Sequence, residues 1–182
     1  LFEGIKIVDC DTHITEAPDL FTSRATAKFK DRVPYMKADA EGVDRWYIGD
    51  RDCGTQGGAV VRNDCNKLLG RLAFPTVAEG HPGAYSMKPR VQLMDDMGVH
   101  AQIGFQNSGI TQPGTLMALG DTEAAIMTLR LYNDASMEYQ EESGQRIFNM
   151  AHLPYWDRDA MIAEAHRCVD GGLKGFVLPD KP

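Results

Sequence analysis

Four short aliphatic, β-rich runs, at 5–10, 99–105, 146–151 and 173–178, restrict the fold of this chain more than any other feature, because helical patterns separate the later ones. Strands joined through helices cannot pair by tight hairpins, so the order predicts an α/β fold with a parallel sheet and right-handed crossovers. The helices are marked at their ends. Pro89 in a first turn and Gly98 just past a last one bracket a short helix at 88–98. Asp121 caps a long helix reaching about Ser143, with Ala124, Leu129, Leu131, Tyr132 and Met137 among its apolar positions. Asp157 caps a third helix, which stops at Gly171-Gly172. The rhythm breaks after the first run, where an insertion at 20–85 begins as a polar, irregular stretch. Within it, 44–51 and 58–61 read as a small β-hairpin around a Gly/Asp turn. Four βα units are half of an eight-stranded barrel.

The first run leads directly into Asp11-Thr12-His13. Side chains alternate along a strand, so Asp11 and His13 project to one side at its carboxyl end, and Asp9 joins them if the strand runs straight. In a parallel barrel that end is the mouth where chemistry occurs. A carboxylate and an imidazole together suit Zn²⁺, Mn²⁺ or Fe²⁺; the competing role for such residues is capping or turn formation. Glu16, just beyond, is a weaker third ligand candidate, and a solvated loop acid is its plainer reading. His152, at the end of the third run, also faces the mouth and is a weak catalytic candidate beside a hydrogen-bonding role in the turn before Pro154. His81 sits in a Gly/Pro loop, His100 opens a strand, and His166 lies mid-helix among polar neighbours. Arg51, Arg62 and Arg71 in the insertion are able to grip a substrate carboxylate.

A formal net charge of −7 argues against a nucleic-acid surface. No apolar run approaches the roughly 20 residues of a membrane span, and Leu1-Phe2-Glu3-Gly4 lacks the basic start of a secretory signal. The cysteines Cys10, Cys53, Cys65 and Cys168 are scattered, which reads as reduced thiols and a cytoplasmic setting. Alternation sets Cys10 opposite Asp9 and Asp11, packed between strand and helix layers. There is no Gly-rich phosphate loop after a strand and no G-x-S-x-G elbow.

The run Val8-Asp9-Cys10-Asp11-Thr12-His13-Ile14-Thr15-Glu16-Ala17-Pro18-Asp19-Leu20 resembles the opening of amidohydrolase-related proteins of the aminocarboxymuconate-semialdehyde decarboxylase type. Gly83-Ala84-Tyr85, Arg90 and Met94-Asp95-Asp96-Met97-Gly98-Val99 resemble the family's approach to its second strand. Tyr132-Asn133-Asp134, Arg146 with Ala151-His152-Leu153-Pro154, and Gly172-Leu173-Lys174-Gly175-Phe176 resemble later motifs in the same order. The resemblance implies the N-terminal half of a TIM-like (β/α)₈ barrel, residues 1–182 carrying strands one to four. It implies a divalent metal held by Asp11, His13 and, more weakly, Glu16, and a decarboxylase or hydrolase acting on small carboxylated molecules. The family commonly has His-x-His or Glu-x-His where Asp11-x-His13 stands, which tilts the metal toward Mn²⁺ or Fe²⁺. Its remaining ligands would fall after Pro182, so the rest of the barrel is expected from a longer polypeptide or from a partner chain in a homo- or hetero-oligomer. The alternatives are a non-catalytic scaffold subunit of a multi-chain complex and a two-metal oxidative enzyme of the same fold.

Overall fold

The computed structural model describes residues 4–57, 62–64 and 76–178. The first strand, β1 (Ile7–Ile14), runs through the Asp11-Thr12-His13 motif instead of stopping before it. A short helix α1 (Leu20–Arg24) follows, then a three-stranded antiparallel sheet of β2 (Tyr35–Ala38), β3 (Asp44–Ile48) and β4 (Arg51–Thr55) in that order. The expected hairpin is therefore shifted. Gly49, at φ 56°, and Asp50 form its two-residue turn, pairing Ile48 with Arg51, as left-handed glycine favours in such turns. Residues 58–61, expected to form its second strand, lie outside the described residues, as do Cys65 and Arg71.

The βα order then resumes with α2 (Met87–Met97), β5 (Val99–Gln106), α3 (Pro113–Met117), α4 (Thr122–Glu142), β6 (Ile147–Asn149) and α5 (Arg158–Asp170). Strands β1, β5 and β6 form one parallel sheet in the order β1-β5-β6. The fourth expected strand is reduced to one parallel bridge, Ala151 with Phe176, held by bonds from Ala151 N to Gly175 O and from Val177 N to Ala151 O. Among the described residues nothing pairs with its far side, and an edge strand needs a neighbour to extend.

Local signals set the helix ends. Gly98 closes α2 at φ 70°. Asp121 accepts a hydrogen bond from Ala124 N at 3.1 Å, and Asp157 one from Ala160 N at 3.0 Å. Arg32 forks onto the Asp121 carboxylate at 2.7 and 2.9 Å, tying the insertion to the start of α4.

One core runs from the insertion into the helix layer. Trp46 is 0% exposed and meets Phe21 edge-on at 5.5 Å. Ile14, Met94, Leu129 and Ile147 continue it beneath the parallel sheet. Burying each large side chain contributes about 1.5–3 kcal/mol. Gly104 lets β5 lie close to its neighbours: a Cβ there would stand 2.6 Å from Asn149 Oδ1 and 3.0 Å from Ile14 Cδ1. By contrast Ile5, Val8 and Leu178 are largely exposed. Among the described residues no helix is long and apolar enough to cross a membrane.

The β1–β5 ladder carries a bulge. Asp9 pairs with Gln102 and Thr12 with Gly104, so β1 has one residue more than β5 between these points. Asp9 and Thr12 consequently face the same way, toward α2. The straight-strand expectation that Asp9 shares a face with Asp11 and His13 is corrected by this extra residue. Cys10, expected between layers, is instead exposed at the bulge.

Candidate metal site

Downstream of the bulge, regular alternation returns. Thr12 Oγ1 accepts a bond from Arg90, and Ile14 is buried in the core. Asp11 and His13 therefore take the opposite face, and both are exposed. His13 Nδ1 lies 2.7 Å from the backbone oxygen of Gln106, the last residue of β5. A carbonyl oxygen only accepts, so Nδ1 carries the ring proton and Nε2 of the neutral ring keeps its lone pair. The ring also leans against Phe105, with centroids 6.4 Å apart.

A polar network supports the strand from behind. Arg90, 8% exposed, donates to Gln102 Oε1 at 2.8 Å, to Gly83 O at 3.0 Å and to Thr12 Oγ1 at 2.6 Å. Gln102 Nε2 in turn reaches Asp9 Oδ2 at 3.0 Å. Burial brings the Arg90 guanidinium down to about 10, with the Asp9 charge opposing. Asp9, Asp11, Thr12, His13, His81 and Arg90 border one cavity of about 290 Å³, so residues of both strand faces reach it.

Glu16 is not the solvated loop acid expected. It is 1% exposed, and its carboxylate accepts from Asn107 N at 3.2 Å and Ser108 N at 3.1 Å, clasping the loop after β5. Burial pushes its carboxyl up to about 7 against these hydrogen bonds. Glu16 is thus buried beneath that loop, whereas Asp11 and His13 are exposed. His152 does not open onto the mouth either. It is 3% exposed, edge-on to Tyr132 at 5.0 Å, and burial alone pushes its imidazole down to about 4. Its Nε2 lies 2.7 Å from Gln106 Oε1. The lengthened β5 brings Gln106 between the two histidines, since a strand ending at Phe105 stops one residue short of it.

His81 accepts from Gly83 N at 3.0 Å, capping a short turn, while His100 and His166 are exposed. Arg51 donates to Ala118 O, and Arg62 pairs with Asp64. Sequence reasoning missed Gln106, whose backbone oxygen carries the key contact, and no residue-type signal marks a carbonyl. It also missed the work of Asn133, although Tyr132-Asn133-Asp134 stood out as a motif. Among the described residues, no group of three or more His, Cys, Asp and Glu is arranged to hold a metal. Asp11 and His13 offer one oxygen and one nitrogen donor on an exposed strand.

No family model matches the chain, and no curated protein matches it. Solved structures do. An amidohydrolase from Mycobacterium avium subsp. paratuberculosis K-10 superposes with a TM-score of 0.65 at 19% identity, over 93% of this chain and 48% of that one. IDCase from Metarhizium anisopliae, in apo form, gives 0.51 at 13% identity, over 91% and 40%. A 2,6-dihydroxybenzoate decarboxylase from Rhizobium gives 0.48 at 22% identity, over 94% and 37%. The chain spans less than half the length of each of these proteins. It has the fold of part of an amidohydrolase barrel.

Proposed function

We propose that this chain supplies strands one to four of a metal-dependent enzyme of the amidohydrolase superfamily, a non-oxidative decarboxylase or hydrolase of a small carboxylated substrate. The observation that carries the reading is His13, whose Nδ1–H is engaged by the Gln106 carbonyl while Nε2 and the Asp11 carboxylate share one exposed strand face. Metal-binding histidines are oriented in this way by a partner on the other nitrogen. An oxygen and a nitrogen donor fit Zn²⁺, Mn²⁺ or Fe²⁺, and the remaining donors would come from the rest of the barrel, in the same polypeptide or in a partner chain. Bound there, the ion would polarise a substrate carboxylate or carbonyl and acidify water.

The chain's own residues do the rest. Asp11 brings negative charge to the mouth and His13 a fixed lone pair. Gln56, just past β4, accepts from Asn107 Nδ2 in the loop after β5, which supports the insertion at 20–85 as a subdomain that would limit water at the mouth. Decarboxylation is preferred over hydrolysis because the sequence motifs resemble that branch most. The test is metal analysis and turnover of small aromatic carboxylates by the intact protein and its His13→Ala variant. Occupancy and activity should fall together; full occupancy in the variant sinks the assignment.

A further inference from the structure

Resting on the metal site proposed above, the geometry points to His152 as a positioning residue that fixes the ring orientation and tautomer of His13 through Gln106. The contacts form one continuous path. His13 Nδ1 donates to Gln106 O at 2.7 Å, and the side-chain oxygen of the same Gln106 lies 2.7 Å from His152 Nε2. An amide oxygen only accepts, so His152 donates from Nε2.

His152 is held at its backbone and along its ring. Asn133 on α4 clamps its backbone twice, accepting from His152 N and donating to His152 O, each at 2.9 Å. Tyr132, the preceding residue, packs against its ring. Asn133 Nδ2 also donates to Glu164 Oε1 at 2.8 Å, and the buried Glu164 is gripped by Arg130 and Arg167. A ring so constrained acts as a fixed post. Gln106 ends β5 in register with Ile14 of β1, and Glu16 takes the amide of the next residue; beyond these backbone ties, the post holds the Gln106 side chain and with it the carbonyl that His13 meets. A neutral imidazole buried at 3% exposure costs more than an apolar side chain unless its polar atoms are used. The use visible here is the bond to Gln106.

The experiment takes the intact protein with ¹⁵N-labelled histidines. It records the His13 ring shifts without metal and measures Mn²⁺ and Zn²⁺ affinity by calorimetry. His152→Phe keeps a ring against Tyr132 but removes the donor, His152→Gln restores an N–H donor, and Gln106→Met removes the acceptor. The wild type should show one His13 tautomer, protonated at Nδ1. His152→Phe and Gln106→Met should mix the tautomers and weaken metal binding by about 10–100-fold, and His152→Gln should recover both properties. Unchanged shifts and affinity in His152→Phe and Gln106→Met overturn the inference. So does a loss in His152→Phe that His152→Gln fails to rescue while Gln106→Met behaves as wild type. If His152→Phe does not fold, Gln106→Met decides alone. A wild type that takes up no metal sinks the metal site instead, and the ring shifts still decide the relay.

Discussion

Replacing Glu16 with Gln should change how stability depends on pH, and the size of the change follows from its burial. The carboxyl rises from its ordinary 4.5 to about 7 because it is desolvated. The folded state then binds a proton more tightly than the unfolded chain. That contribution is fully present below pH 4.5 and is lost as pH rises through 7. At about 1.4 kcal/mol per pH unit the loss is roughly 3 kcal/mol. Gln cannot ionise, so the Glu16→Gln variant should gain roughly 3 kcal/mol relative to wild type between pH 4.5 and 7.5. A constant offset from the altered bonds to Asn107 and Ser108 leaves this slope untouched. His152 has the opposite sign: buried neutral, with its imidazole pushed down to about 4, it costs stability as pH falls from 6.5 through 4. That limb is common to both proteins and cancels in the difference. Urea unfolding of the intact proteins at several pH values, followed by circular dichroism, measures it. Parallel curves, or a difference that shrinks as pH rises, refute the burial argument.

Arg90→Met should destabilise by about 3 kcal/mol, because it strips Thr12, Gly83 and Gln102 of a buried partner; thermal unfolding reads this, and a loss under 1 kcal/mol contradicts it. Gly104→Ala should cost about 1–3 kcal/mol by pushing a methyl group into Asn149 Oδ1 and Ile14, with a wild-type midpoint as the contrary result. Residues 1–182 expressed alone should bind apolar dyes and self-associate through exposed apolar side chains such as Ile5, Val8 and Leu178; sedimentation showing a monodisperse, cooperatively folding monomer would contradict this.

Legibility in the sequence followed the range of the cause. Pro89, Gly98, Asp121 and Asp157 act within one turn of their own helices, and the boundaries they imply lie within a residue or so of those observed. Strand β2 was hidden in a stretch that reads as irregular, because four residues acquire strand character only by pairing with β3. The turn of Asp9 away from Asp11 depends on how β1 registers against β5, some ninety residues on. Glu16 is buried by backbone groups at a similar separation. The placing of Asp11 and His13 on one exposed face was readable, since alternation is local. What orients His13 was not, because the partner is a main-chain oxygen.

The bulge in β1 also works as a phase shifter. Val8 and Asp9 run half a period out of step with residues 12–14, because the register shifts once between Ile7 and Val8 and back again between Asp9 and Thr12. Deleting Cys10 would remove the extra residue between Asp9 and Thr12, leaving Thr12 and Ile14 anchored to Arg90 and the core while rotating Val8 and Asp9. Asp9 would swing away from Gln102 onto the side of Asp11 and His13, adding a second carboxylate there and removing the nearest negative charge from Arg90. A single-residue frame change in one strand would thereby transfer an acidic group from the scaffold to the reactive face.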